Sequence, residues 1–380
     1  MEKPFKISVA IILTALLLFL PGCWSHRELN EIGIVSAMGL DLNEEGKIGL
    51  SVQVITPLAE QANETGQAGK VRFLRTEGKT VFDAVRDMMT ISGDRLFYPH
   101  NQIIVIGEEL ARSGIRPVLD FLERDPEIRL FTNIFVTEGR AERIIDAVST
   151  EEVISAMHLS RLIENYGSVS KGIPVRLLDV LNAIYSEGIE VCIGKIDYKG
   201  EKGKPTFLLK GGGVFKDDKL VDWLDTEETR GFLWVHDKVE SGIIVASNRN
   251  PQEKLEGISF EIIRAGSKIK PKLEGDKPSF TIEIKVTCNL GECMEHLPKT
   301  NEDYEELEKI LGQAVIGEVQ TILDKAQKEL GMDILGFGEA LYRKFPAYWK
   351  EHKQEWAKIF PQTEVEIVVE ALLANHGTLR

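Results

Sequence analysis

The chain has 380 residues, with 46 Lys and Arg against 60 Asp and Glu, for a formal charge of −14 at neutral pH. No run of Lys or Arg exceeds two residues, so nothing supplies the cationic face that releases counterions from a polyphosphate, and nucleic acid is excluded as a partner. With 43% hydrophobic residues and no long block of one charge, the chain can bury enough apolar surface to offset its ordering entropy, so disorder is excluded too, and at ~150 residues per domain the length fits two or three domains.

Residues 1–22 read as a targeting segment. Lys3 and Lys6 precede an apolar run over residues 7–20, broken only by Ser8 and Thr14. At 1.5 Å per residue that run reaches roughly 21 Å, short of the ~30 Å hydrocarbon core, so it suits a signal peptide better than a permanent membrane helix. Leu20, Pro21, Gly22 and Cys23 follow. A leucine three places before a cysteine, with a small residue just before it, resembles the bacterial lipobox, in which the thiol is diacylated and the peptide is cut before it, here between Gly22 and Cys23. Pro21 departs from the usual small or β-branched choice. No other stretch approaches the ~18 apolar residues of a spanning helix. After Cys23 the cysteines are Cys192, Cys288 and Cys293. A bridge between Cys288 and Cys293 is sterically open, but Cys288 falls on the apolar face of an expected strand, so buried reduced thiols are preferred.

Residues 31–57 hold two apolar runs around the polar residues 43–47, which predicts a β-hairpin. Residues 61–70 carry no large apolar side chain and read as a surface loop. Thr80 with Asp83 three residues on makes a capping-box-like start to a helix over 80–91, in which Val81, Val85 and Met88 share a face. A strand at 102–106, a helical segment at 108–123 and a strand at 130–137 follow. Helices are expected at 140–148, at 151–165 and at 174–186. The first half is therefore a mixed α/β unit.

Gly200, Gly203 and Pro205, together with Lys199, Lys202 and Lys204, mark a polar break at 199–205 read as a linker. Strands are expected at 206–215, 241–246 and 257–263. The clearest lies at 280–290, where Phe280, Ile282, Ile284, Val286, Cys288 and Leu290 alternate with polar residues, the period of a sheet with one wet face. Residues 301–330 give the strongest helix, with apolar residues every third or fourth position, acidic residues at its start, Lys325 and Lys328 near its end and Gly331 just past it. Phe345, Trp349, Trp356 and Phe360 form an aromatic stripe, read as core before partner surface, and a last strand closes at 364–373. The fold class expected is α+β, or mixed α/β, with several domains, mixed sheets with helices, and a carboxyl-terminal half in which long helices cover an antiparallel sheet. The division is 1–22 signal peptide, 23–198 amino-terminal domain, 199–205 linker and 206–380 carboxyl-terminal domain, with a subdivision weighed near residue 250.

Nothing nominates a catalytic residue. The histidines His26, His100, His158, His236, His296, His352 and His376 are scattered and include no metal-type pair on a helix. Cys288, Cys293 and His296 lack a fourth ligand. No G-x-S-x-G elbow is present. Gly211, Gly212 and Gly213 are followed by a strand-like stretch instead of G-K-[ST], so close backbone packing or a bulge is the reading there. The acidic stretch from Asp217 through Glu228 lacks EF-hand spacing and reads as a solvated turn.

Laid out in order, the motifs resemble the Ger(x)C lipoprotein family, the C subunits of GerA-type nutrient germinant receptors. The resemblance runs from Cys23, Trp24, Arg27, Glu28 and Leu29 through Gly78, Thr80 and Phe82, then residues 106–111 (Ile-Gly-Glu-Glu-Leu-Ala) and 124–129 (Arg-Asp-Pro-Glu-Ile-Arg). It continues with residues 212–220 (Gly-Gly-Val-Phe-Lys-Asp-Asp-Lys-Leu), 228–231 (Glu-Thr-Arg-Gly) and 333–338 (Asp-Ile-Leu-Gly-Phe-Gly). Ser25 departs from the acidic residue relatives often carry. The resemblance implies a lipoprotein whose Cys23 bears diacylglycerol, with an N-acyl chain where the amino group is also acylated. It implies no other cofactor, no metal and no enzyme activity. It implies a place on the outer face of the spore inner membrane, with two integral-membrane partners, the A-type and B-type receptor subunits, in a complex that senses nutrients and triggers germination. The alternative is a solute-binding lipoprotein that delivers a nutrient to a membrane transporter, and a third reading, an extracytoplasmic enzyme, has only the outer location for it.

Overall fold

Runs of Val, Ile and Leu alternating with small residues build the first sheet. In the computed structural model, which describes residues 32–56, 70–148, 163–200, 206–247, 257–293, 298 and 300–374, the expected hairpin is formed by β1 (Ile32–Leu42) and β2 (Ile48–Thr56). Its turn is fixed by Asn43, whose Oδ1 accepts from Glu45 N at 3.0 Å and Lys47 N at 2.8 Å, and by Gly46 at φ 75°. Strand β3 (Lys70–Gly78) pairs antiparallel with β2; β4 (Arg95–Phe97) and β5 (Ile103–Gly107) pair parallel with β1, and β6 (Asn133–Thr137) with β5. Short β7 (Val175–Arg176) joins β6, β8 (Cys192–Lys199) lies parallel to β6, and β9 (Thr206–Lys216) and β10 (Lys219–Leu224) extend the sheet antiparallel, making ten strands. The stretch expected as a linker at 199–205 thus joins two strands that pair with each other, β8 and β9. Helices α1 (Val81–Ser92), α2 (Glu108–Ser113), α3 (Arg116–Arg124) and α5 (Leu177–Tyr185) pack their apolar residues with Met38, Leu40, Ile104 and Ile106 on one face. On the other face α4 (Ala141–Val148) covers Ala37, Ile103, Val105 and Phe135. Covered on both sides, β5 is buried throughout, which is why it reads as an unbroken apolar run.

The second sheet has four strands, β11 (Gly242–Ser247), β12 (Gly257–Glu274), β13 (Lys277–Cys293) and β14 (Glu364–Leu373). The first three are antiparallel as expected, but β14 runs parallel to β13. The long helical stretch between them supplies the crossover that parallel pairing requires. Phe280, Ile282, Ile284, Val286 and Cys288 face inward, while Lys270 with Glu283 (2.6 Å) and Lys285 with Glu370 decorate the wet face. The inner face lies under α7 (Asn301–Asp324), started by Thr300, whose Oγ1 accepts from Asp303 N at 3.2 Å. Val315, Val319 and Ile322 are fully buried on it, each contributing about 1.5–3 kcal/mol. The last turn of the expected helix is a π-helical stretch, Lys325–Leu330, at which Lys325 meets Asp222 (2.9 Å), Glu329 (3.3 Å) and Glu228 (3.6 Å). Helix α6 (Thr226–Val235), between the sheets in sequence, packs on α7 at Gly231, where an added Cβ would lie 2.2 Å from Glu318 O and 2.8 Å from Ile322 Cγ2.

One apolar cluster runs continuously from β1 to Phe360, so the two sheets share a core. The aromatic stripe belongs to it, spread over α9 (Pro346–His352), α10 (Trp356–Ile359) and the turn after it. Phe280 stacks on Phe337 at 4.7 Å, and Trp349 meets Trp356 edge-on at 5.5 Å. Among these rings sits Asp333, just before α8 (Phe337–Lys344). Its Oδ1 accepts from the N–H groups of Leu335 (3.1 Å), Gly336 (2.8 Å) and Phe337 (3.2 Å), and its Oδ2 from Gly338 N (2.7 Å) and Trp356 Nε1 (3.0 Å). Burial pushes this carboxyl up to about 6, against the pull of those donors. The same turn ties the halves together, since Glu190 N donates to Asp333 O (2.8 Å), Glu339 N to Gly188 O (3.2 Å), and His236 Nε2 to Ile334 O (3.0 Å). Gly188, at φ 85°, lets Trp349 approach to 2.7 Å from where a Cβ would stand. Burial depresses the His236 pKa to about 4, so the ring is neutral at neutral pH.

Targeting residues 1–22, Cys23, the loop at 61–69, nearly all of the expected helix at 151–165 and the weighed subdivision near 250 lie outside the described residues.

Three outcomes are expected from stability measurements. Gly231→Ala should cost about 1–3 kcal/mol by overpacking the α6–α7 contact, whereas Gly317→Ala, in α7 with nothing within 4 Å, should add about 0.5–1 kcal/mol; equal denaturant midpoints would contradict the packing account. Asp333→Asn places an amide N–H against the Gly338 and Trp356 donors and should cost at least about 3 kcal/mol, so a variant melting like the parent would refute the acceptor role. His236 binds fewer protons folded than unfolded between its depressed pKa of about 4 and its ordinary 6.5, so it contributes stability that is complete above 6.5 and lost as pH falls toward 4. Acidification across that window should therefore destabilise the parent by about 3 kcal/mol more than His236→Gln, as read from denaturant titrations at each pH, and parallel pH profiles would contradict this.

Candidate functional site: a helix-walled cleft

Strand β3 runs into α1 with almost no intervening turn because Gly78 has no side chain; a Cβ there would stand 2.3 Å from Ala84 N. Thr80 then caps the helix, its Oγ1 accepting from Asp83 N at 3.1 Å, the cap anticipated from the spacing, while Asp83 Oδ2 accepts not from Thr80 N but from Lys79 N, one residue earlier, at 2.8 Å. Across from α1 stands α3. The helical segment expected at 108–123 is two helices, broken at Gly114, whose φ of 122° only glycine adopts easily. The break is set from far away in sequence: Asp218, on the β9–β10 turn, accepts from Arg116 N through Oδ2 (3.0 Å) and from Ile115 N through its backbone O (2.9 Å). Its neighbour Asp217 makes the turn at φ 56°, with its N–H donating to Glu190 Oε2 at 2.8 Å.

Between α1, α3 and the first sheet lies a cleft of about 1660 Å³. Val81, Val85, Val118 and Phe121 give it apolar walls, and Phe82, half exposed, lies 5.9 Å from Phe121 with the Arg86 guanidinium 4.8 Å over its ring. Of its charged side chains, Arg124 pairs with Asp120 (2.9 Å) and Arg95 with Glu127 (3.7 Å), while Asp125 Oδ1 accepts from Glu127 N (2.8 Å). The Tyr98 hydroxyl is buried with no hydrogen-bond partner among the described residues, and burial, with the nearby Glu127 and Asp125 carboxylates, drives its pKa well upward. The cleft exceeds the ~300–1,000 Å³ of small-molecule pockets, and no histidine or cysteine lines it. Four motif segments border it: Thr80 to Phe82, the stretch containing Leu110, residues 124–127, and Asp218.

Elsewhere, the residues singled out from sequence, and some that were not, have structural places. Asp41, 3% exposed, caps α4 across the sheet, accepting from Ala141 N (2.7 Å) and Glu142 N (2.9 Å); Gly107 must be glycine because a Cβ would lie 2.1 Å from Asp41 Oδ1. Burial raises the Asp41 pKa against those two donors. Gly211 forms the anticipated bulge, at φ 84°, where a Cβ would stand 2.5 Å from Leu224 O, and Gly212 packs on Ile173. In the acidic stretch, Asp225 caps α6 and Asp222 and Glu228 hold Lys325. His100, His236 and His352 lie on separate elements, and among the described residues no group of three or more His, Cys, Asp or Glu is arranged for a metal. Cys192 is buried, and burial pushes the Cys288 thiol up to about 12. Cys288 and Cys293 lie along one extended strand and no disulfide joins them. Cys23 and Gly22 are outside the described residues. The long-range capping aspartates were missed from sequence, although Asp333 followed by Gly336 and Gly338 before a helix carries a capping signal that could have marked it.

Residues 25–198 match the model of the spore germination protein N-terminal domain, and residues 210–377 match that of the spore germination B3/GerAC-like C-terminal domain. Spore germination protein B3 of Bacillus subtilis (strain 168) is 27% identical over all of both chains; spore germination protein KC of the same organism is 25% identical, over 98% of this chain and 96% of that one. The crystal structure of the GerBC protein superposes with a TM-score of 0.59 at 22% identity, over 89% of this chain and 97% of that one, a likeness of fold. With both domains in tandem and in the order the motifs anticipated, the chain belongs to the Ger(x)C family of spore germination proteins.

Proposed function

We propose that the protein is a lipid-anchored, non-catalytic subunit of a nutrient germinant receptor, held at the outer face of the spore inner membrane beside A-type and B-type integral-membrane subunits. The observation that carries this reading is the lipobox at Leu20 to Cys23 directly ahead of the two germination domains. Among the described residues no helix is long and apolar enough to cross a membrane, so a covalent anchor supplies what the body lacks. One acyl chain gives marginal attachment at about 0.8 kcal/mol per buried methylene, while the two of a diacylglycerol, palmitate among the common chains, give durable attachment. The reading of a solute-binding lipoprotein has less support, because the two sheets have ten and four strands and a shared core where such proteins carry two alike lobes.

Cys23→Ala should leave the melting temperature of the body unchanged, shift the protein from the membrane to the soluble fraction, and slow nutrient-triggered germination by about tenfold or more in a strain without redundant receptors. Undiminished membrane retention would refute the anchor, and unaltered germination after deletion of the whole gene in that strain would refute the receptor role.

A further inference from the structure

We propose that the edge of the first sheet at which β1, β5 and β6 begin is the face this protein turns toward an anionic lipid surface. The proposal rests on the anchored reading above and adds to it an orientation. These three strands are parallel, so their amino-terminal ends lie along one edge; the register sets Ile32 beside Arg95, and Ala37 beside Ile103 and, through it, Asn133. The loops leading into β5 and β6 and the last turn of α1 meet there. That edge carries large apolar side chains in water: Phe131 is 65% exposed, Met89 51%, Ile91 49% and Phe97 37%. Isolated exposed apolar residues need no explanation, but a row of them on one edge marks a contact surface.

The charges on this edge balance, Arg72, Arg95, Arg129 and Arg176 against Asp94, Asp125, Glu127 and Asp179, whereas the chain as a whole carries −14. Arg95, Arg129 and Arg176 are exposed, and the Arg176 guanidinium stands 5.5 Å from the Phe131 ring centroid. His100 lies against Phe97 at 5.5 Å. The acidic side chains nearby are engaged: Asp94 with Arg72, Asp125 with Glu127 N, Asp179 with Arg176 N and Glu127 with Arg95. Arg129 and Arg176 have no ion pair among the described residues. Aromatic rings beside guanidinium groups suit the boundary between phosphate headgroups and acyl chains, where each side chain meets its preferred solvent. The acidic remainder is repelled by the same surface, so an apolar edge that carries no net charge is the one that can settle on it and sets a single orientation.

The tether agrees with this placement. From Cys23 to Ile32 the extended chain reaches at most about 30 Å, so the start of β1 stays within that distance of an acylated Cys23. Leu42, at the other end of β1, is about 33 Å farther along the strand.

The test uses the full acylated chain on vesicles of phosphatidylglycerol and phosphatidylethanolamine, carrying Cys293→Ser and one fluorophore, placed through Phe97→Cys, Phe131→Cys, Val245→Cys or Tyr342→Cys, all four positions being exposed. Quenching by brominated lipid should be about threefold or more stronger at 97 and 131 than at 245 and 342. Arg129→Glu with Arg176→Glu should bring the first two down to the level of the others while flotation with the vesicles persists. Equal quenching at all four positions, or quenching indifferent to the double charge reversal, in a chain that still floats overturns the face and leaves the anchor standing. A chain that does not float overturns both.

Discussion

A carboxylate removed from water is tolerated only where donors replace its hydration, and at Asp333 five of them do. Four are backbone N–H groups at the start of α8, and the fifth is the indole of Trp356. Because the same residue's carbonyl accepts from Glu190, and its neighbours meet Gly188 and His236, the turn holds the end of the first sheet's helices against the aromatic cluster under the second sheet. The device recurs at Asp41 and Asp218, each reaching across roughly a hundred residues to close a helix start. Buried or turn-borne aspartates thus fix where α3, α4 and α8 begin, and the cleft wall follows from the second of these contacts.

Local patterns made much of this fold legible. Alternation at Phe280 to Leu290 located β13 and its inward face, and Thr80 marked a helix start that its side chain does cap. What local patterns could not carry were the tertiary decisions. The apolar spacing of residues 108–123 continues through Gly114, and only Asp218 from a distant turn shows why the helix restarts there. Strand β12 was expected to end near residue 263 and continues to Glu274, because its polar second half is held by pairing with β13 and has no apolar signature of its own. The direction of β14 depended on the crossover before it. The cleft draws its walls from several elements and has no linear signature, although four segments that carried the family resemblance turned out to border it.

Tandem germination domains, a lipobox and a body without a spanning helix among its described residues fit a division of labour in which attachment is covalent and orientation is a property of the folded surface. The net negative charge would keep an unanchored body away from anionic lipid, so on the proposed reading the acyl chains would carry retention and the aromatic edge would decide only which way the body faces. The cleft between α1 and α3 lies on a helical face of the same sheet, and Met89 and Arg95 of that edge also line it.

Intact-mass and amino-terminal peptide analysis of the protein isolated from spore membranes bears most directly on this account. It should find a chain that begins at Cys23 and carries the mass of a diacylglyceryl group on that residue. A mature chain beginning elsewhere, or one beginning at Cys23 without acyl mass, would contradict it.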